Sequence, residues 1–224
     1  MRLRKVKDAF ETLSQDSKYF VINPKDYKGK WFEVFGNHNP IHIEVGCGKG
    51  QFMMGLAKHF PDINFIAIEK FDSVLVRTLE KVSQEDMPNL RLVLLDALML
   101  EEVFTKGEVS TIYLNFSDPW PKSRHAKRRL TSSIYLNIYK EVLATDGVIV
   151  QKTDNRLLFE SSLESFSQND WYLSNISLDL HKTDLFNITT EYEDKWSPKG
   201  PIYRLEARMY KNPVKKDATE ENIF

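Results

Sequence analysis

Residues 41–50 read I-H-I-E-V-G-C-G-K-G, and the fold turns on them. Ile41, Ile43 and Val45 alternate with His42 and Glu44, the period of a short strand entering a core. Gly46, Gly48 and Gly50 then take every second position, and helical spacing follows over 51–60. A strand, a glycine turn and a helix start make a cradle for a nucleotide-like ligand. Glycine admits positive φ and lets the backbone touch the ligand with no Cβ in the way. The spacing is G-x-G-x-G, not the G-x-G-x-x-G of dinucleotide binders. Glu44 would repel a pyrophosphate and suits an ammonium or sulfonium. A glycine-rich βα turn without a ligand has the same sequence.

Outward from this unit the chain alternates apolar runs with helical patterns. Strands are expected at 63–69, 90–96, 111–116, 147–152, 171–180 and 203–210, and helices at 74–82, 134–143 and 156–166, with a short apolar helix at Trp31–Phe35. Such alternation implies an α/β architecture, a doubly wound and mostly parallel sheet. The expected organisation is a basic N-terminal arm with short helices over 1–40, one domain over 41–211 and a polar tail over 212–224.

Composition narrows the class. Hydrophobic residues make up 42% of the 224 and charged residues 28%, as in ordinary soluble domains. No apolar run approaches the ~20 residues of a membrane span. The one cysteine, Cys47, fits a reducing cytoplasm and leaves no cysteine-based zinc site. The five histidines show no paired ligand spacing, so no metal is expected. The formal net charge is −1, yet 122–129 (K-S-R-H-A-K-R-R) holds five Lys or Arg, one His and no acid, and residues 2–7 hold four more cations. Such local patches suit a polyanion, and a solvated basic loop has the same composition.

Ligands of open α/β sheets gather at the carboxyl ends of the strands. Here those ends present Glu44, Glu69, Asp96, Asp118 and Asp154. Glu69 is placed to accept hydrogen bonds from both ribose hydroxyls of an adenosine, and Asp96 to lie beside its adenine; both could equally be ordinary strand-terminal acids. The most specific stretch is 115–122, N-F-S-D-P-W-P-K. Two prolines stiffen the backbone around Trp120, and Pro119 biases Asp118 to an extended conformation. A carboxylate beside an aromatic face binds a base, and the basic block follows at once. Trp120 could instead pack beneath the loop. The late segment 187–195, N-I-T-T-E-Y-E-D-K, is expected as a loop offering hydroxyls and carboxylates.

Together, E-V-G-C-G-K-G at 44–50, N-F-S-D-P-W-P-K at 115–122, R-H-A-K-R-R at 124–129, K-T-D-N at 152–155 and T-E-Y-E at 190–193 resemble the bacterial tRNA (guanine-N7-)-methyltransferases. The resemblance implies a Rossmann-like class I methyltransferase fold with seven strands and helices on both faces. It also implies S-adenosylmethionine as cofactor and a guanine of the tRNA variable loop as acceptor, in a cytoplasmic monomer or homodimer. Glu44, Gly46, Gly48, Gly50, Glu69, Asp96 and Asp118 would hold the cofactor, with Asp118 at the catalytic centre. Lys122, Asp154, Thr190, Glu191, Tyr192 and Glu193 would meet the substrate, and Arg124, His125, Lys127, Arg128 and Arg129 the RNA. Asp154 or Glu193 would read the N1/N2 edge of the guanine, and Lys122 or Thr190 would donate to O6 or phosphate. Cys47 stands where many members carry Ser; its backbone faces the ligand, so little effect is expected. Two other readings compete: an amino methyltransferase acting on another nucleobase, and a catalytically silent RNA-binding module.

Overall fold

The computed structural model describes residues 5–210; the expected tail at 212–224 and the basic side chains at positions 2 and 4 lie outside the described residues. Seven strands form one sheet: β1 Ile41–Val45, β2 Asn64–Glu69, β3 Leu90–Leu94, β4 Val109–Asn115, β5 Leu143–Thr153, β6 Trp171–Ser177 and β7 Tyr203–Met209. Their spatial order is β3-β2-β1-β4-β5-β7-β6. The first five strands are mutually parallel, and β7 runs antiparallel to both its neighbours. Eight helices accompany them among the described residues: α1 Ala9–Ser14, α2 Trp31–Phe35, α3 Gln51–His59, α4 Asp72–Val82, α5 Leu100–Val103, α6 Ser133–Val142, α7 Arg156–Gln168 and α8 Glu191–Trp196. None is long and apolar enough to cross a membrane.

The alternation of side chains along each strand divides the core in two. On β2, Phe65 and Ala67 join the cluster built on α1, α3 and α4 with Leu13, Met53 and Leu75, while Ile66 and Ile68 join the opposite one with Trp31, Leu136 and Phe159. Every residue of β2 is buried, as a parallel strand covered on both faces requires. On β1 the same period sends Ile41, Ile43 and Val45 to one cluster and turns His42 and Glu44 to the α3 face.

Several element ends differ from the sequence expectation, most visibly in β3, β5 and β6. β3 stops at Leu94 because the Asp96 carboxylate leaves the ladder and accepts the Leu98 N–H at 3.0 Å, capping the 3-10 turn Ala97–Met99. β5 begins at Leu143, with residues 144–147 bulging out between the pairs Leu143–Val109 and Val148–Thr111. β6 ends at Ser177, and Leu180–Lys182 turns as a 3-10 helix. The N-terminal segment is in part docked: Leu13, Tyr19 and Phe20 are buried, and Phe20 bridges to Leu92 parallel to β3.

Candidate active site

The glycine turn between β1 and α3 is stitched to the end of β2. Gly46 and Cys47 both donate their N–H to the Ile68 carbonyl, at 2.9 and 3.0 Å. Gly48 N–H reaches Glu69 Oε2 at 3.3 Å, and the Thr78 hydroxyl donates to the Gly48 carbonyl at 2.9 Å. Gly46 and Gly48 sit at φ +79° and +58°, and a Cβ added to either would meet open space. Gly50, at φ +81°, has a different job: its Cβ would run into Thr78 Cγ2 of α4. Two glycines therefore face the cleft while the third lets two helices approach. Cys47 is buried, and burial pushes its thiol well above the usual range.

Glu44 is buried at the foot of this turn. Its Oε1 accepts from Asn115 Nδ2 at 2.7 Å, while Glu44 Oε2 and Asn115 Oδ1 are buried with no partner. Burial pushes the Glu44 carboxyl up to about 8, against the opposing pull of the Asn115 hydrogen bond and the Lys152 charge. Asn115 follows from the register: Glu44 lies opposite Tyr113, and the residue two further along β4 shares its face. Glu69 Oε1 accepts the N–H groups of Lys70 and Phe71 at 2.8 and 3.1 Å. Its carboxyl is raised, by burial first and in part by the Asp118 charge. Asp96 Oδ2 pairs with Lys70 Nζ at 2.6 Å. Two residues after each of these acids stand Phe71 and Leu98, apolar yet 61% and 51% exposed. Sequence reading passed over both, although a large apolar residue after a strand-terminal acid was the available signal.

Asp118 is exposed on the loop after β4 and lies midway between two strained residues: Phe116 at φ +50° and Trp120 at φ +41°. The basic segment folds back on this loop as the 3-10 helix Ser123–Arg128. Trp120 has His125 edge-on, with ring centroids 5.7 Å apart, and the Arg128 guanidinium 4.9 Å from its ring centre. Arg129 donates from Nε to the Pro119 carbonyl at 3.0 Å and from Nη2 to the Trp120 carbonyl at 3.1 Å. Lys122, Arg124 and Lys127 remain exposed. The expected RNA block thus divides: Arg129 and, in part, Arg128 and His125 are engaged in holding the loop.

The segment 187–195, expected as a loop, contains α8, and each residue of T-E-Y-E acts differently. Thr190 is the N-cap, its Oγ1 accepting the Glu193 N–H at 3.0 Å. Glu191 pairs with Lys81 of α4. Tyr192 donates to Asp154 Oδ2 at 3.1 Å, and its ring centre lies 5.0 Å from that of Phe116. Glu193 is fully buried: Oε2 pairs with Lys152 Nζ at 2.7 Å, and Oε1 bonds His181 at 3.0 Å and accepts from Asn187 at 2.7 Å. Both its oxygens are committed inside the protein, which corrects the expectation that Glu193 could read a base edge. Burial pulls the Lys152 ammonium down while Glu193 holds it up. T-x-x-E is the sequence signature of a capped helix start, the signal the loop expectation missed. Asp154, one residue past β5, is half-buried, and its Oδ1 makes no hydrogen bond among the described residues.

A family model described as "Putative methyltransferase" matches residues 38–205. The tRNA (guanine-N(7)-)-methyltransferase of Listeria welshimeri is 56% identical over 214 residues, which is 95% of this chain and 100% of that protein. The protein of the same name from Bacillus subtilis (strain 168) is 55% identical over 208 residues, 92% of this chain and 98% of that one. Among solved structures, the 16S rRNA methyltransferase KamB aligns with a TM-score of 0.62 at 13% identity, covering 81% of this chain and 93% of its own. An antibiotic-related methyltransferase aligns at 0.59 and 19% identity, over 82% and 92%. These two structures bear on the fold alone, a class I methyltransferase architecture.

Proposed function

The chain belongs to the tRNA (guanine-N(7)-)-methyltransferase family, and from that membership we propose that it methylates N7 of a guanine in the variable loop of tRNA, in the cytoplasm. S-adenosylmethionine, when bound, supplies a methyl carbon activated by its sulfonium, so that a carbon–nitrogen bond forms as the carbon–sulfur bond breaks. The observation that carries the reading is identity above half over nearly the whole chain with proteins named for this reaction.

The cleft fits the cofactor on its own chemistry. Glu44 Oε2 and Asn115 Oδ1 are two buried acceptors without a donor, which an α-ammonium would satisfy together. Gly46 and Gly48 leave backbone open to a ligand. Glu69 has lone pairs left for ribose hydroxyls, and Phe71 and Leu98 supply apolar surface for a purine face. Asp96 is tied to Lys70, so neighbouring backbone shares the bonding of the exocyclic amine with it.

Guanine N7 has an in-plane lone pair and no proton, so Asp118 acts through position and charge, not as a base. The purine gains positive charge on methylation, and Asp118 and Asp154 stabilise that charge as it develops. With Glu193 buried, Asp154 is the carboxylate that accepts from guanine N1–H and N2–H, its Oδ1 free and its Oδ2 steadied by Tyr192. Adenine has an acceptor at N1 and is rejected. Lys122 or Thr190 donates to O6 or to phosphate, and Glu191 fixes α8 through Lys81. Lys122, Arg124, Lys127 and the outer faces of His125 and Arg128 hold the RNA backbone. The target guanine leaves its stack to reach the cleft.

The test is transfer of labelled methyl from S-adenosylmethionine to unmodified tRNA transcripts, with the labelled nucleoside identified. Label in 7-methylguanosine is the expected result. Label in a base methylated on its exocyclic amine would favour the amino methyltransferase, and no label with no cofactor binding would favour the silent RNA-binding module.

A further inference from the structure

Asp118 is bracketed at equal distance by two residues in the left-handed region, Phe116 and Trp120. For side chains of this size such a conformation costs about 1–3 kcal/mol each and persists only where neighbours enforce it. Phe116 is enforced from the sheet side: its N–H bonds the Lys152 carbonyl at 2.8 Å, and its ring lies against Tyr192. Trp120 is enforced by the basic segment. Its carbonyl and the preceding one are bridged by a single guanidinium, Arg129 Nε at 3.0 Å and Nη2 at 3.1 Å. Arg129 is half-buried and has no carboxylate within ion-pair distance among the described residues. Its fork is spent on these carbonyls.

We propose that Arg129 is a positioning residue of the methyl transfer, clamping the Pro119 and Trp120 carbonyls so that Asp118 is presented in one orientation, and is not a phosphate contact. The proposal rests on the reading of Asp118 as the carboxylate at the reacting centre. The fork geometry is what the task requires. A lysine carries its donors on one rotatable nitrogen and lacks the planar two-nitrogen fork that holds the two carbonyls at a fixed spacing, so Arg129→Lys keeps the charge and loses the clamp. The two roles separate in kinetics. A phosphate contact acts in binding and its loss lowers the salt slope of tRNA affinity by about one. A clamp acts on the geometry of the reacting groups, where a displacement of about 1 Å can cost about a hundredfold in rate.

The experiment measures kcat, the KM for tRNA, S-adenosylmethionine affinity, Tm and the salt dependence of tRNA binding for the wild type, Arg129→Lys, Arg129→Ala and Lys127→Gln. For Arg129→Lys we expect kcat to fall about ten- to hundredfold, with the tRNA KM within about threefold and the salt slope unchanged. Guanidinium-type additives should restore part of the kcat lost in Arg129→Ala, and a loss of fold would show in its Tm and cofactor affinity. Lys127→Gln, exposed in the same block, should shift KM and slope and spare kcat. A full kcat in Arg129→Lys, or a raised KM with a reduced slope, overturns the proposal. A wild type that leaves no label in 7-methylguanosine overturns the underlying reading instead, whatever the variants do.

Discussion

Replacing Glu44 by Gln should make the cofactor-free protein more stable above neutral pH, although it removes a proposed cofactor ligand. The native Glu44 carboxyl lies at about 8 against an ordinary 4.5. Between those values the native state holds a proton that the unfolded chain has released. Stability at this site is therefore full below 4.5 and is lost as pH rises towards 8. Across the whole window the loss is roughly 5 kcal/mol, an upper figure, since each pH unit is worth about 1.4 kcal/mol. His42 works the other way. Burial pulls it down to about 4 from 6.5, so the native ring stays neutral where the unfolded one protonates, and stability rises with pH across that range. Above 6.5 that opposition has ended, and about 2 kcal/mol of the Glu44 loss remains to be read. The substituted glutamine does not titrate, keeps an acceptor for Asn115 Nδ2, and brings an N–H donor for the unpartnered Asn115 Oδ1. Urea unfolding of both proteins from pH 6 to 9 should show the wild type losing stability steadily relative to the variant. Calorimetry in two buffers of different ionisation heat should also find a proton released when the wild type binds S-adenosylhomocysteine at pH 7. Parallel stability curves between pH 6.5 and 8 would refute the reasoning.

Phe71→Ala should weaken S-adenosylmethionine binding about tenfold and leave Tm unchanged, because the side chain is 61% exposed; equilibrium dialysis and a melting curve check both. Asp154→Asn should cost about ten- to hundredfold in kcat/KM for tRNA with no change in Tm. Glu193→Gln should instead destabilise by about 3–5 kcal/mol, because it leaves Lys152 buried and unpaired; unfolding curves separate the two carboxylates. A Lys152→Met, Glu193→Leu double variant should recover most of that stability, and a double-mutant cycle reads the coupling. Gly50→Ala should cost roughly 2–4 kcal/mol, combining strain at φ +81° with collision against Thr78, and would be seen in urea unfolding.

The sheet was legible because its evidence is local. Alternation at 41–45, the largely apolar run at 63–69 and an acid at or near the end of each of the first five strands are properties of single segments. The candidate site was legible as a set of acids, since parallel strands must bring their carboxyl ends to one edge. Which acid does what was not legible, because those roles come from pairs far apart in sequence. Glu44 meets Asn115 across 71 positions and Lys152 meets Glu193 across 41. Only the neighbouring of β1 and β4 makes the first pair, and only the docking of α8 over the sheet makes the second. The bonds of Arg129 were hidden for a related reason: among five cations a composition count cannot tell the one that bonds backbone from those that face solvent. The left-handed Phe116 and Trp120 carry no sequence mark at all, since neither is a residue that favours φ above zero.

The buried pair between Lys152 and Glu193 links the two halves of the site. A hydrophobic replacement of similar volume would hold α8 to the sheet about as well, so adhesion alone does not explain a buried charge. Lys152 faces two carboxylates. It pairs directly with Glu193 of α8, and its charge lowers the carboxyl of Glu44 beneath the glycine turn. Glu191, on the same helix, pushes Glu44 the other way and is itself neutralised by Lys81. The ionisation of Glu44 therefore depends on where α8 sits. Tyr192 ties that same helix to Asp154, the proposed acceptor for the base. In the proposed site, one docked helix thus sets the charge at the cofactor end and the acceptor at the guanine end, and a neutral joint could have done only the second.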